Sequence, residues 1–345
     1  MSILSGISDF FGLDIGTRAI RLVQLQGSYP KTLSKYAYIP IDSKIALSDS
    51  QVDQQAIAQA VLDLCSQAKL TTRNVVVGIP SNRLFSTVVD IDRVSNSELS
   101  RTILFQADSL IPTPVDESKI DWALIGDSPK DPAKIEILLS SVSNKYIENR
   151  LDSLEAVGLN VIAFEPENMA MVRALISPKT STPTMVLDIG HTSTDLVVMM
   201  DDLPRLIRSI AVGSQAIVRS ASQNLNIDDN QAKQFVYKFG LDQTKLDGQL
   251  SKAIQSTIDI LNVELEKSIK FFESRYVGKK VEKIIVAGEA SVIPNFALSL
   301  ANKFGINIEL GNAWHNVTFP ASRESELQSV ASQFSVAVGL AGRNE

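Results

Sequence analysis

The sequence predicts a duplicated α/β fold that carries an inserted α+β module. Three observations predict it. The tetrapeptide Leu-Asp-Ile-Gly occurs at residues 13–16 and again at 187–190, half of the 345-residue chain apart. Both copies sit inside apolar, β-rich runs, residues 11–25 and 185–199, so each reads as strand, tight turn, strand. Between them, residues 82–155 have a strand and helix pattern of their own.

The elements follow in order. Residues 54–69 carry Ile57, Ala60, Val61 and Leu64 at helical spacing, and 75–80 is a buried strand run that ends in proline. The block at 82–155 reads strand 84–91, helix 97–110, a turn at Pro112 and Pro114, strands 120–125 and 134–142, and helix 144–157. Residues 126–132, rich in proline and charge, are its hairpin loop. The second half opens with the hairpin at 184–199 and a third strand at 204–210. Gly213 precedes a helix to Leu225, Asp228 caps the next helix and Gly240 ends it. Ile254, Ile258, Leu261, Leu265, Ile269 and Phe272 form one stripe, which predicts a long core-facing helix over 250–276. A buried strand at 283–287 and an apolar final helix at 330–341 complete the chain, with no low-complexity segment.

Composition narrows the function. The chain is 44% hydrophobic, enough for buried cores, and its net charge of −6 (33 basic, 39 acidic residues) gives no electrostatic footprint for nucleic acid. Cys65 is alone, so it forms no internal disulfide; it is expected to be a buried small hydrophobe in a cytosolic protein. No apolar run approaches the ~18 residues of a membrane-spanning helix. Residues 1–11 lack a basic leader and contain Asp9, unlike a secretory signal. Ile3, Leu4, Ile7, Phe10 and Phe11 are expected to lead into the first strand rather than form an interfacial helix. With only His191 and His315, no histidine metal constellation or Ser/His/Asp triad is suggested.

The repeated unit has a definite chemistry. Asp-x-Gly alone is ordinary turn chemistry; two copies in matching strand contexts point to a duplicated device. Glycine followed by small hydroxyl residues lets successive N–H groups form a concave anion nest. The preceding aspartates, Asp14 and Asp188, cannot bind phosphate directly but can hold Mg²⁺ through water. Two such hairpins facing each other would clamp a polyphosphate and its metal. The rival motifs, Gly-x-x-x-x-Gly-Lys-[Ser/Thr] and a helix-opening Gly-x-Gly-x-x-Gly, are absent.

These hairpins resemble the phosphate-1 and phosphate-2 hairpins of the actin-like ATPases. Residues 106–117 with their Ile-Pro-Thr-Pro turn, 120–124, 157–174, 202–208 and 335–343 resemble segments of the PilM family within that superfamily, more than its relative FtsA. The resemblance implies an actin-like duplicated RNase H-type fold with an inserted subdomain. Subdomain 1A is expected at 1–81 plus 156–182, 1C at 82–155, 2A at 183–212 plus 282–345, and 2B at 213–281. It also implies ATP and Mg²⁺ as cofactors. ATP would be held by Asp14, Gly16, Thr17 and Arg18, by Asp188, Gly190, Thr192 and Ser193, and by Gly213, Gly288 and Glu289, with Asp14 and Asp188 on the metal through water. Glu165 is the candidate to position a hydrolytic water, with Glu167 second; both also suit a helix start.

The sequence departs from the family pattern in places. Glu289 and Ala290 stand where further glycine is usual, and a side chain there narrows the space for adenosine. Lys233 and Val236 replace a Glu and a Lys near the ribose, Arg21 replaces a Lys, and His191 sits where the family has other residues. The phosphate hairpins are thus kept while the adenosine pocket is altered, which leaves at most a weak ATPase and makes a nucleotide-free pseudo-ATPase the alternative.

The function implied is a cytoplasmic scaffold of type IV pilus assembly, or of the related type II secretion assembly, at the inner face of the cytoplasmic membrane. In the family a groove between 1A and 1C receives the cytoplasmic N-terminus of PilN, and other assembly-platform proteins are further partners. Ile111, Pro112 and Pro114 are the candidate groove residues, and ATP would serve as structural ligand or switch. An FtsA-like polymerising division protein would carry an amphipathic tail beyond the last helix, where this sequence runs only to Glu345. A sugar kinase of this superfamily would need a catalytic base and sugar pocket for which no residue stands out.

Overall fold

The computed structural model describes residues 9–343, so Ile3, Leu4 and Ile7 lie outside the described residues. The chain divides into two compact units. One takes residues up to 176, 313–329 and 334 onward; the other takes 177–312 with 330–333.

The first unit begins with three antiparallel strands, β1 (Phe11–Ile15), β2 (Ala19–Gln26) and β3 (Thr32–Pro40). A short helix α1 (Ser43–Ala46) and the longer α2 (Gln51–Gln67) lead to β4 (Asn74–Ile79), parallel to β1. Ser50 caps α2 by accepting from Asp53 N–H at 3.2 Å, and the helix buries Ile57, Val61 and Leu64 with the sheet residues Leu13, Leu22 and Val75. Next come β5 (Leu84–Asp92), α3 (Asn96–Leu110), β6 (Ser118–Asp127), β7 (Lys134–Ser143) and α4 (Asn144–Ala156). The strand β8 (Asn160–Pro166) then joins the first sheet parallel to β4, followed by α5 (Glu167–Leu175).

The sheet order is β3-β2-β1-β4-β8, with β5-β7-β6 as a separate antiparallel sheet. Its central strand β7 buries Ile135, Ile137 and Leu139 with Ile91, Leu99, Ile103 and Ile111, so α3 covers one face. Every element predicted between residues 84 and 157 is present within two residues at each end.

The second unit contains β9 (Thr184–Ile189), β10 (Thr194–Met200), β11 (Leu203–Ile210), α6 (Ser214–Leu225), α7 (Asp229–Phe239), α8 (Gln249–Arg275), β12 (Lys283–Ala287), α9 (Phe296–Phe304) and β13 (Asn307–Leu310). Its sheet order, β11-β10-β9-β12-β13, repeats the first strand for strand, and so do the pairing directions. Leu13 pairs with Leu22 and Asp14 with Arg21; Leu187 pairs with Leu196 and Asp188 with Asp195. The duplication seen in four residues therefore extends to both five-stranded sheets. The α8 stripe from Ile254 to Phe272 lies in this unit's core, as its spacing predicts.

The C-terminal region differs from expectation in two ways. The single helix expected at 330–341 is two helices, α10 (Glu324–Val330) and α11 (Ser335–Ala341), with a 3₁₀ turn at Ala331–Gln333. The chain turns where Phe334, 1% exposed, enters an aromatic cluster, its ring centroid 5.5 Å from those of Tyr36 and Trp314. The second difference concerns assignment, since α11 packs in the first unit rather than with 282–312. A Cβ on Gly12 of β1 would lie 2.5 Å from Ala337 O, and one on Gly339 would overlap the Ala170 carbonyl of α5. Residues 313–329 join the same unit through hydrogen bonds between Thr318 and the backbone of Lys31 and Leu33, each 2.9 Å. Conversely, 177–182 belong to the second unit, where the Lys179 and Thr180 N–H groups donate to Asp202 at 2.8 and 3.2 Å. Among the described residues, no helix is long and apolar enough to cross a membrane.

Candidate functional site

The first hairpin turns over four residues, closed by Gly16 N–H donating to Ala19 O at 3.1 Å. Asp14 lies just before the turn, 5% exposed, with Arg21 directly across on β2 and its Nη1 3.4 Å from Asp14 Oδ2. Burial raises the Asp14 carboxyl above its usual range, while the charge and hydrogen bond of Arg21 pull it down. Thr17 is half-buried and the Arg18 side chain is exposed at the turn. The Arg18 carbonyl accepts from Ile41 N–H at 3.0 Å, which fixes the loop's backbone.

The second hairpin closes identically, Gly190 N–H donating to Ser193 O at 2.9 Å. Here the neighbouring elements come very close. Ser214 N–H at the start of α6 donates to Gly190 O, and Gln215 N–H to His191 O, both at 2.9 Å. Thr194 Oγ1 donates to Val212 O at 2.6 Å. A Cβ at Gly213 would stand 2.5 Å from His191 O and 2.7 Å from Ser193 N, so a side chain would force the hairpin away from the helix. Gly288 has φ +86° and faces Asp188; a Cβ there would overlap Asp188 Oδ1. Asp188, Gly190, Ser193, Gly213 and Gly288 thus form one locale, with Thr192 half-buried on its turn.

Glu289 joins this locale through its side chain. Its Oε2 accepts from Ser214 Oγ at 3.0 Å and lies 3.5 Å from His191 Nδ1, which is itself 3.3 Å from Ser214 Oγ. Burial would raise this carboxyl, but His191, Ser214 and Tyr237 outweigh it and hold it at about 2. His191, which the sequence places in the second hairpin where the family has other residues, is a partner of Glu289. Val236 is fully buried in the core of the second unit, and Lys233 lies over the Tyr237 ring at 6.0 Å.

The donor set suits a Mg²⁺-bound polyphosphate. Taken separately, the first turn offers the Thr17 hydroxyl and Arg18 guanidinium behind Asp14, and the second offers the Thr192 and Ser193 hydroxyls behind Asp188. No group of three or more His, Cys, Asp or Glu gathers among the described residues.

Glu165 is placed differently from a free water-positioning group. It sits on β8 opposite Gly78, 6% exposed, bonded to Arg173 Nη2 and 3.5 Å from Arg343 Nη1. Arg173 Nη1 donates at the same time to Gly339 O at 2.8 Å. Glu167 packs instead against Gly78, where a Cβ would stand 2.9 Å from its Cγ.

Glu165, Arg173 and Arg343 border a cavity of about 870 Å³ within the first unit. Its floor is one face of the three-stranded sheet, made by the cross-strand pairs Lys119–Val142, Asp121–Ser140 and Ala123–Leu138. Residues 119–123 all line it consecutively. Successive strand side chains point to opposite faces, and Ile120 and Trp122 pack into the sheet's other side. The backbone edge of β6, an outer strand, must therefore border the groove. Trp122 N–H on that edge donates to the adjacent Asp121 Oδ1 at 2.9 Å. Ile111, Pro112 and Pro114 do not line this cavity. Ile111 is 8% exposed in the core beneath α3, and Pro112 borders a separate cavity of about 510 Å³ beside Arg83 and Tyr146. Pro114 only opens the short 3₁₀ turn before β6. The Ile-Pro-Thr-Pro turn is a helix stop whose isoleucine is drawn into the core by the sheet's apolar face.

The profile of the family described as type IV pilus assembly protein PilM matches residues 12–345. Among solved structures, a chain of a PilM-PilN type IV pilus biogenesis complex superposes with a TM-score of 0.83 at 23% identity, covering 96% of this chain and 97% of that one. MreB5 of Spiroplasma citri bound to AMPPNP superposes at 0.54 with 12% identity over 96% and 95% of the two chains. The ethanolamine utilization protein EutJ of Carboxydothermus hydrogenoformans does so at 0.55 with 13% identity over 96% and 88%. The fold is that of the actin-like ATPases, as the repeated hairpins lead one to expect.

Proposed function

This chain belongs to the PilM family of type IV pilus assembly proteins, and on that premise we propose that it is a scaffold holding an extended N-terminal segment of a PilN-like inner-membrane protein. The 870 Å³ groove carries this reading. Its floor combines apolar side chains with an open strand edge, the two features by which sheets capture extended peptides. Leu138, Val142, Ile147 and Met169 offer apolar contact, while β6 offers backbone N–H and C=O groups. Asp121 holds the Trp122 N–H and would yield it to an incoming carbonyl. The solved complex of a family relative with PilN supports the class of partner. In this reading the protein works at the cytoplasmic face of the inner membrane and reaches it through that partner, and other platform proteins bind elsewhere.

ATP with Mg²⁺ is the proposed structural ligand. The turns at 16–19 and 190–193 would hold the phosphates and Asp14 and Asp188 the metal's waters. When bound, the nucleotide supplies a multivalent anion whose differential affinity can bias one conformation over another. In this reading the group is held rather than consumed, because Glu165 is committed to Arg173 and Arg343. The subdomain scheme 1A, 1C, 2A and 2B is retained in outline, with 1A extended to take in α11.

The test is fluorescence anisotropy of a labelled N-terminal peptide of the PilN-like protein with wild type and Ala123→Arg. Ala123 is exposed on the groove floor, so the variant should fold normally and lose peptide affinity tenfold or more. Equal affinity would remove the groove from the reading, and no binding to wild type would remove the partner.

A further inference from the structure

Three parts of the second unit meet at one point: the turn after β9, the start of α6 and the residue after Gly288. At most helix N-termini the first N–H groups are available to an anion. Here Ser214 and Gln215 N–H donate to the hairpin carbonyls of Gly190 and His191. What faces the turn instead is a carboxylate, Glu289, fixed from two sides by Ser214 Oγ and His191 Nδ1.

We propose that Glu289 is a specificity-determining residue that makes anion binding at the second hairpin dependent on an accompanying divalent cation. The inference rests on the reading of the hairpins as a Mg²⁺-nucleotide site. Glu289 is not a group that neutralises to make room. Held at about 2, it stays ionised throughout the range in which the protein would work. A second negative charge about 4–6 Å away is opposed by an energy worth roughly tenfold or more in affinity at a partly buried position. The His191 ring contacts Glu289 from one side, Nδ1 3.5 Å from Oε2. A divalent ion held before Asp188 would offset the carboxylate's charge, so a metal-bound polyphosphate is accepted where a bare one is refused. The same latch keeps the turn, the helix start and the Gly288 segment together, so selectivity arises from a structure already in place.

The test is titration with fluorescently labelled ATP, with Mg²⁺ and with EDTA, of wild type, Glu289→Gln and His191→Gln. Glu289→Gln keeps the shape and an acceptor for Ser214, and its melting temperature shows that it is folded. The expected result is a gain of tenfold or more in metal-free affinity for Glu289→Gln, and a smaller ratio of Mg²⁺ to metal-free affinity than in wild type. His191→Gln, which keeps Glu289 and its bond from Ser214, should leave metal-free binding as weak as in wild type. Wild type that binds Mg²⁺-ATP while Glu289→Gln shows no metal-free gain overturns this inference and leaves the nucleotide reading intact. A His191→Gln variant that binds metal-free ATP more tightly also overturns it. Binding by Glu289→Gln but by wild type neither with nor without Mg²⁺ would overturn this inference, because the metal would then not relieve the carboxylate, and would remove ATP as the natural chain's ligand. No binding by any of the three removes both.

Discussion

Asp14 and Arg21 face each other across the first hairpin with carboxylate and guanidinium 3.4 Å apart, whereas the same register positions of the second hairpin hold Asp188 and Asp195. The backbone duplication has been kept while the charge opposite the aspartate has been reversed. The first hairpin carries a buried acid with its own cation, and the second carries two acids in register.

That difference makes Arg21 a stability residue as well as a candidate ligand contact. Arg21→Ala would leave the Asp14 carboxyl buried with its partner removed, at a cost of about 3 kcal/mol at neutral pH. The pH dependence has a fixed sign. Burial already raises the Asp14 carboxyl, and loss of Arg21 raises it further. The penalty therefore exists above the folded-state value and is relieved as pH falls through it. Urea denaturation at neutral and mildly acidic pH should show the gap between wild type and variant narrowing on acidification. Asp14→Asn in the Arg21→Ala background should restore most of the loss. A gap that widens in acid would mean that Asp14 is ionised and satisfied without Arg21.

The docking of α11 rests on a close helix approach at Gly339. Gly to Ala within a helix ordinarily gains about 1 kcal/mol. At Gly339 the added Cβ would overlap the Ala170 carbonyl, so a loss of about 2–3 kcal/mol is expected instead. Calorimetric melting decides between them by sign, and a higher melting temperature would mean that α11 does not pack on α5 as described.

The hairpins, the insert and the α8 core stripe were legible because each is written locally. The turn bond spans four residues, the β6–β7 hairpin shares one loop, and the α8 face repeats along its own helix. The C-terminal break was not legible, because its cause is Phe334 packing with Tyr36 and Trp314, contacts distant in sequence. The same holds for the site. The loss of glycine at Glu289 could be read directly, but its pairing with His191 and Ser214 joins three segments that only the fold assembles. An unexpected histidine in one motif and an unexpected carboxylate in another were the available signal. The cavity beside Glu165 had no signal in the sequence, because the edge position of β6 depends on strand order.

Arg173 links Glu165 to the carbonyl of Gly339, and so ties β8, α5 and α11 together. Arg173→Met should cost about 2–3 kcal/mol, since it leaves a buried carboxylate with only the longer Arg343 contact. Glu165→Gln should cost about 1 kcal/mol, because an amide oxygen can still accept from Arg173. The double variant should lose clearly less than the sum of the two. Additive losses in denaturant titrations would show that the pair is not energetically coupled.

Cys65 supplies a reporter for the packing of α2. Its side chain is 3% exposed beside Ile57, Val61 and Leu64, and burial pushes the thiol up to about 11 against the opposing charge of Arg73. A thiol reacts as its thiolate. With a value near 11 only about 0.1% is thiolate at about pH 8, even before shielding is counted. Burial here favours the neutral form, so raising the pH increases reactivity steadily up to that value. Labelling with a chromogenic disulfide should be at least a thousandfold slower in native protein than in concentrated guanidinium. Sub-denaturing urea should speed it in proportion to opening of α2, which shares one core with the sheet. Labelling complete within the mixing time under native conditions would show that α2 opens without unfolding of the first unit, contrary to the single core that Leu13, Leu22, Leu64 and Val75 make with it.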